Sequence, residues 1–216
     1  MIRRFIKKVT PILIWRVMRK MYYVYLTFRY RVIGRPYVLA ETTKAHKRRI
    51  KEGFFDKYCR GKGIDIGYGG DLIVGGCFGW DFEHGDAQYM QSVNDQSFSF
   101  VYSSHTLEHM IDPSTALKNW WRILKPEGFL ILYVPHRELY EKKSTLPSNW
   151  NPDHKHFFLL DKDEKPDTIG LVPLVQRTLS GYEIIYGKVC DENHTISDPN
   201  LHSDGEYSME LVLKKL

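Results

Sequence analysis

Cysteine is scarce in this chain of 216 residues, and its few cysteines form no recognisable pair. The three cysteines are widely spaced, include no CxxC motif, and are Cys59, Cys77 and Cys190. Neither a disulfide-rich scaffold nor a zinc or redox site built on paired cysteines is indicated. A reducing, cytoplasmic setting fits this pattern best.

Long apolar runs are also missing. The longest uncharged runs near the amino terminus are residues 9–15 and 21–28, well short of the roughly 18 apolar residues that a membrane-spanning helix needs. A secretory signal needs a longer apolar core followed by small residues, and Arg16, Arg19 and Lys20 interrupt that pattern. We therefore predict neither a transmembrane helix nor export.

Acidic residues are nearly absent from residues 1–51, which hold fifteen Lys or Arg and a single acid, Glu41. Apolar groups alternate there with basic ones, a pattern typical of an amphipathic helix. We therefore divide the chain into a basic amphipathic helical extension, residues 1–50, and a folded domain, residues 51–216. The chain length suits one α/β domain with a substantial core.

Two interpretations of the basic extension stay open. Residues 1–33 can lie on an anionic membrane surface, which would place the protein at the inner membrane face, or the segment can cap the domain and line a substrate pocket. A cationic segment also attracts the phosphates of nucleic acids. No recognised RNA-binding module accompanies this one, so a nucleic-acid partner is the weakest alternative.

From residue 61 onward the pattern alternates strands and helices. The predicted strands are residues 63–66, 78–81, 98–104, 129–134, 182–189 and 208–214, and the predicted helices are residues 113–125 and 168–179. Such alternation is typical of a mostly parallel sheet with helices on its faces.

An acid and a glycine-rich turn follow the first predicted strand, in the motif Asp65-Ile66-Gly67-Tyr68-Gly69-Gly70-Asp71. Glycine lets the backbone approach a ligand closely, and nucleotide-type cofactors lie over the carboxyl ends of such strands. An ordinary turn has the same local pattern. Two later acids favour a cofactor site: Asp81 ends the next strand, where it can bind ribose hydroxyls, and Asp86 with Ala87 stands where adenine would lie.

Residues 63–158 resemble the S-adenosyl-L-methionine (SAM)-dependent methyltransferases of the broad methyltransferase type 11 group. The motifs that carry the resemblance are Gly-Ile-Asp-Ile-Gly-Tyr-Gly-Gly, Gly-Asp-Ala-Gln, Ser-Ser-His-Thr-Leu-Glu-His and Arg-Ile-Leu-Lys-Pro-Glu-Gly. Segments 135–141, 151–158 and 202–207 also resemble an uncharacterised bacterial subset, which identifies no substrate. The resemblance implies a class I methyltransferase fold, a Rossmann-like α/β sheet of seven mostly parallel strands.

The resemblance also implies roles for individual residues. By this resemblance, the methionine part of SAM would contact Asp65, Gly67 and Gly69, and the ribose would contact Asp81. The adenine would contact Asp86 and Ala87. Ser104 and His105 would face the cofactor from the end of a strand. Gly75 and Gly76 interrupt the short interval between Asp65 and Asp81. We therefore expect the usual first helix to be very short or missing.

A nicotinamide-dependent reductase is the enzymatic alternative, since it also uses a glycine-rich turn and a later acid. The turn here reads GYGGDL, which meets the GxGxxG spacing poorly. The second half of a dinucleotide site is not apparent, and an acid just before the first glycine better suits a cationic methionine.

Histidines are the candidate catalytic residues. Methyl transfer from a sulfonium mostly needs alignment, with a base only where the acceptor is a hydroxyl. Neutral imidazole accepts protons near pH 7, so His105 and His136, at strand ends, are the preferred bases, with His154 beside Asp153 next. A structural hydrogen bond is the plainer role for each. His136, Asp153, His154 and His156 are also metal-ligand types, but their spacing matches no zinc signature, and no metal site is predicted.

Glu108 and His109 are expected to pin the start of the following helix. The predicted reaction is methyl transfer to a small-molecule or glycan- or lipid-linked acceptor, at a hydroxyl. A sugar or glycan-lipid acceptor suits the basic extension, which favours an anionic, membrane-associated substrate. The alternative is a noncatalytic SAM-binding or membrane-adaptor protein.

Overall fold

A computed structural model describes Met21 and residues 41–216. The predictions for residues 1–33 lie outside the described residues. The helices and strands, in chain order, are α1 (Glu41–Lys44), α2 (His46–Lys51), α3 (Phe54–Tyr58), β1 (Gly63–Ile66), β2 (Phe78–Trp80), β3 (Phe98–Ser104), α4 (Pro113–Ile123), β4 (Leu124–Pro135), α5 (Arg137–Tyr140), β5 (Phe157–Leu159), β6 (Thr168–Gly170), α6 (Leu171–Thr178), β7 (Tyr182–Cys190) and β8 (Ser208–Lys215).

The central sheet has six strands in the order β2-β1-β3-β4-β8-β7, and β5 pairs with β6 in a separate two-stranded sheet. The pairs β1–β2, β1–β3 and β3–β4 are parallel, whereas β8 runs antiparallel to both β4 and β7. The predicted Rossmann-like, mostly parallel sheet is confirmed. The strand number is corrected from seven to six within the described residues.

The segment between β2 and β3 explains the missing strand. Residues 81–97 hold one 3-10 turn, Phe82–His84, and otherwise irregular backbone. A single crossover between parallel strands takes a dozen or more residues, so this segment has no room for a helix, a strand and a second helix. The region around Asp86, where a third strand was expected, is therefore a loop. No helix lies between β1 and β2 either, as predicted.

Most predicted elements are confirmed, and the two largest shifts are at the starts of a helix and a strand. β1 and β3 have the predicted bounds. The helix predicted from residue 168 begins at Leu171, because residues 168–170 pair with β5 as strand β6. Strand β4 begins at Leu124 instead of residue 129, and the register shift between Phe98 and Phe100 accommodates the extra residues as a bulge.

The start of helix α4 is stabilised by capping residues. Asp112 accepts hydrogen bonds from the amides of Ser114 and Thr115 at 3.0 and 3.2 Å, and Pro113 occupies the first turn. An acidic cap followed by proline is a favourable helix start. The expectation that Glu108 and His109 pin this helix is wrong, because Asp112 performs that role.

Alternate residues of β4 face two apolar cores, as the two-residue repeat of a strand requires. Leu130 and Leu132 belong to the core that also contains residues of α4 and α6. Ile131 and Tyr133 belong to the core that contains Phe54 of α3. Both faces of the sheet are therefore covered, which explains why its strands read as nearly continuous apolar runs. Within residues 41–216, none of the helices has the length and apolar character to cross a membrane.

Candidate active site

The topological switch point of the sheet lies at β1. The chain leaves β1 for β2 on one side and returns to β3 on the other side. Ligands of open α/β sheets bind outside the carboxyl ends of the strands at such a point. The glycine-rich turn, Asp81 and residues 104–109 all follow these strand ends, so this edge of the sheet is the candidate active site.

Asp65 is a fully buried carboxylate in β1. Its Oδ2 accepts a hydrogen bond from the Ile73 amide at 2.7 Å, whereas Oδ1 has no hydrogen-bond partner among the described residues. Burial raises the pKa of Asp65 well above its ordinary value, although the Ile73 amide opposes the shift. A buried oxygen without a partner costs free energy, which a cationic ligand group would recover.

Two glycines of the turn are required for different reasons. Gly67 has a φ of +77°, and a Cβ there would lie 1.9 Å from Thr106 Oγ1. Gly69 has a φ of +56°, and a Cβ there would meet nothing nearer than a carbonyl oxygen at 3.8 Å. The Thr106 hydroxyl lies 3.1 Å from the Ile66 carbonyl oxygen and 2.9 Å from that of Ser104. Gly67 therefore makes room for a side chain that links β1 to β3, while Gly69 borders open space.

The residues predicted to bind the nucleoside lie on short turns beyond β2. Asp81 caps the 3-10 turn, with a carboxylate oxygen 2.7 Å from the next amide. Asp86 is exposed, and its carboxylate accepts a hydrogen bond from the Gln88 amide at 2.8 Å. The Ala87 carbonyl accepts one from Trp120 Nε1 at 2.8 Å. Each therefore has a structural role, and the ribose and adenine assignments stay predictions.

His105 directly follows β3 and the buried Ser104. Its Nε2 lies 2.7 Å from Ser208 Oγ of β8. Its ring centre lies 6.3 Å from that of Tyr140 and 5.9 Å from that of Tyr207. Burial, followed by the proximity of other cationic side chains, lowers the pKa of His105 well below its ordinary value. The imidazole is therefore set among aromatic rings at the candidate site.

His136 lies at the start of α5, where its amide donates to the Tyr207 carbonyl at 2.9 Å. Its buried Nδ1 has no hydrogen-bond partner among the residues described. Burial lowers the pKa of His136, and its main charged neighbours are Glu138 and Arg137. These contacts give His136 a different environment from those of the other two candidate bases.

Glu108 is a fully buried carboxylate that three histidines approach. Its Oε1 lies 3.9 Å from Nδ1 of His105 and 3.8 Å from Nε2 of both His109 and His154. Neither carboxylate oxygen has a hydrogen-bond partner within the described part of the chain. Burial raises the pKa of Glu108 to about 7, although His154 opposes the shift. Two of the three predicted bases, His105 and His154, thus meet at one carboxylate that sequence reasoning did not assign to the site.

The partner that orients His154 is Glu141 and not the predicted Asp153. His154 Nδ1 lies 2.7 Å from Glu141 Oε1. The carbonyl oxygen of Asp153 instead lies 3.2 Å from His109 Nδ1. Burial lowers the pKa of His109 to about 4. No local motif joins His154 to Glu141, so the sequence did not predict this pair.

Comparison with known proteins finds a similarity for the part of the chain that forms this edge. Residues 64–132 match a family model described as a methyltransferase domain. None of the curated proteins matches the chain.

Two of the solved structures that match the chain are the following. A SAM-dependent methyltransferase of Thermotoga maritima, described as a possible histamine N-methyltransferase, is 19% identical over 92% of this chain and 98% of its own, with a TM-score of 0.47. A Pyrococcus horikoshii protein is 15% identical over 87% of this chain and 98% of its own, with a TM-score of 0.50. At these identities the likeness concerns the fold. Residues 64–132 are thus similar to a methyltransferase domain, and they lie in the Rossmann-like part of the sheet, from β1 into β4.

Proposed function

We propose that the protein transfers the SAM methyl group to a hydroxyl of a small-molecule or glycan- or lipid-linked acceptor. One observation carries this proposal. Thr106 packs against Gly67 of the glycine-rich turn, and the adjacent His105 lies against the aromatic rings of Tyr140 and Tyr207. A cofactor turn and an imidazole therefore meet at neighbouring strand ends, which is the arrangement that in-line methyl transfer to a hydroxyl requires.

The residues of the turn fit the SAM cofactor. Asp65 Oδ1 is a buried carboxylate oxygen without a partner in the described part of the chain, as expected of a group that receives the methionine ammonium. Gly69 borders open space in a backbone conformation that glycine favours. Asp81 follows β2 on the same edge, where its carboxylate would receive ribose hydroxyls. When bound, SAM supplies a methyl group that its positive sulfur makes electrophilic.

His105 is the preferred base because of its position. It directly follows the carboxyl end of β3, and its ring lies beside an aromatic wall formed by Tyr140 and Tyr207. Lys44 lies 4.0 Å from the centre of the Tyr207 ring, and thus adds a cation beside that wall.

The test combines binding with transfer. Calorimetric titration of the full-length protein with SAM and with its demethylated product measures binding, and radioactive SAM incubated with cell fractions reveals the acceptor. We expect His105→Ala to retain SAM binding and to lose transfer by about a hundredfold or more, as removal of a general base does. His156→Ala is the matched control. A parent protein that binds SAM but labels no fraction would support the noncatalytic alternative, and transfer by His105→Ala at the parent rate would exclude this residue as the base.

We also propose that residues 1–33 bring the enzyme to an anionic membrane surface, where a lipid-linked acceptor would lie. This segment contains nine Lys or Arg and no acid, and each basic residue near such a surface contributes about 1 kcal/mol. Replacing Arg3, Arg4, Lys7 and Lys8 with Gln in the full chain should abolish sedimentation with phosphatidylserine vesicles. Unchanged sedimentation together with a raised acceptor KM would favour the pocket-capping role instead.

A further inference from the structure

The hydrogen-bond partners of His109 and His154 determine which ring nitrogen carries the proton. His154 Nδ1 lies 2.7 Å from a Glu141 carboxylate oxygen, and His109 Nδ1 lies 3.2 Å from the Asp153 carbonyl oxygen. Carboxylate and carbonyl oxygens only accept hydrogen bonds, so each neutral imidazole donates through Nδ1. Both Nε2 atoms therefore present a lone pair.

These two lone pairs and a carboxylate come together in the protein interior. Each Nε2 lies 3.8 Å from Glu108 Oε1, and the ligand atoms of the three residues all lie within 4.8 Å of one another. A proton does not bridge a gap of this length, because a contact beyond about 3.5 Å is not a hydrogen bond. Two ligands of one zinc ion, at bond lengths of about 2.0–2.2 Å, lie about 3.3–3.6 Å apart. Small movements of the three side chains would therefore suffice to coordinate an ion.

The surroundings hold these three residues in place. Glu108 is fully buried, and neither of its carboxylate oxygens has a hydrogen-bond partner in the described residues. Its carbonyl oxygen accepts a hydrogen bond from the Lys155 amide at 2.8 Å, which ties the loop that carries His154 to the turn that carries Glu108. The ring centres of His109 and His154 are 4.9 Å apart. A cation stabilises a buried carboxylate that has no hydrogen-bond partner at the centre of such a group.

We propose that Glu108, His109 and His154 bind a divalent transition-metal ion, and that Zn²⁺ fits the site best. Two histidines and one glutamate are a known zinc ligand set that leaves further coordination positions open. Glu141, bonded to the far nitrogen of His154, serves as the outer carboxylate that orients a metal-bound imidazole. The carboxylates of Glu108 and Glu141 together balance the charge of one divalent ion.

The proposed ion lies beside the candidate base. His105 Nδ1 is 3.9 Å from the same Glu108 oxygen, so an open coordination position can hold the acceptor hydroxyl next to this imidazole and make it more acidic. This role rests on the proposed methyl transfer, whereas metal binding itself does not. Of the ligand types that the sequence had suggested, His154 is among the three, whereas His156 is not, since its Nε2 lies 3.4 Å from the Ile111 carbonyl oxygen.

The test measures metal binding without SAM or acceptor, so that its outcome is independent of the proposed reaction. Full-length protein is treated with a chelator and titrated calorimetrically with Zn²⁺, and the tetrahedral or five-coordinate geometry is read from the visible spectrum of the Co²⁺ form. We expect one equivalent of Zn²⁺ to bind. Loss of one ligand in His109→Ala or His154→Ala should weaken binding by about a hundredfold or more, and Glu141→Gln by about 10- to 100-fold.

His156→Ala is the matched control, since it removes a nearby histidine and should bind Zn²⁺ like the parent. His109 retains 28% of its side-chain exposure, so His109→Ala is the ligand variant that disturbs packing least, and thermal unfolding without metal verifies that it is folded. Failure of the parent to bind Zn²⁺, or equal Zn²⁺ affinity in folded His109→Ala and His156→Ala, would overturn the proposal.

Discussion

Arg49 Nη2 lies 2.6 Å from Glu210 Oε2, and both side chains are completely buried. The pair joins α2 to β8, and Arg49 also donates a hydrogen bond to the Tyr102 hydroxyl at 3.0 Å. The guanidinium lies over the rings of Phe54 and Tyr133. Part of the positive charge near the amino terminus is therefore not a surface for a partner, because it neutralises an acid of the last strand.

Breaking this ion pair should destabilise the domain strongly. Glu210→Gln leaves the Arg49 guanidinium buried without its counter-charge, and we expect a loss of about 3–5 kcal/mol in the free energy of unfolding. Urea denaturation measures this loss. Glu192→Gln is the control, since its partner Lys51 is 74% exposed at 3.5 Å, and an exposed pair contributes less than about 1 kcal/mol. Equal losses of unfolding free energy in the two variants would contradict the stabilising role assigned to the buried pair of Arg49 and Glu210.

The same pair should make the stability of the domain depend on pH in the acid range. Burial raises the pKa of Glu210, but Arg49 and Arg48 outweigh it and lower the pKa to about 2. The pKa of a glutamate side chain in the unfolded chain is about 4.3, so the folded state binds a proton at Glu210 less tightly than the unfolded state does. The stabilisation, about 3 kcal/mol, is fully present above the unfolded pKa and is lost as pH falls through about 2. The difference in unfolding free energy between parent and Glu210→Gln should therefore shrink as the pH is lowered from 5 towards 2, and a constant difference would refute this linkage.

Asp65 should contribute to SAM affinity through its charge. Asp65→Asn keeps the shape of the side chain but removes the carboxylate, and a hydrogen bond to a charged group is worth about 1.5–3 kcal/mol. We expect SAM to bind about 10- to 100-fold more weakly by calorimetry. Glu127→Gln, which changes an acid on the bulge of β4, is the control. Parent-like affinity in Asp65→Asn would remove this residue from the cofactor site.

Gly67 and Gly69 should respond differently to the same substitution. Gly69→Ala meets no close atom and incurs only the left-handed backbone cost of about 1–3 kcal/mol. Gly67→Ala has that cost and a clash with Thr106 Oγ1, so its melting temperature should fall further. Adding Thr106→Ala to Gly67→Ala should restore part of the loss. If the double variant is no more stable than Gly67→Ala, Thr106 is not the residue for which this glycine makes room.

Local patterns were sufficient for most of the fold. The alternation of strand and helix, the glycine-rich turn and the helix start at Pro113 each reflect contacts between residues close in the chain. The missing seventh strand was harder to predict, since residues 81–97 contain Asp86 and Ala87 in a motif that suits a strand end. Its absence follows from the length of the segment, which decides how many elements can fit between β2 and β3.

The glycine-rich turn proposed to hold the cofactor could be located from the sequence, because contiguous residues supply its acid and its glycines. The surroundings of the histidines could not be predicted from the sequence. Glu108 lies near His154 only because the loop that carries His154 packs against the turn after β3. The contacts between Thr106 and Gly67 and between Arg49 and Glu210 likewise join distant segments of the chain. Contacts between segments far apart in the chain depend on how the strands are ordered and packed, so these relationships emerge only in the folded domain.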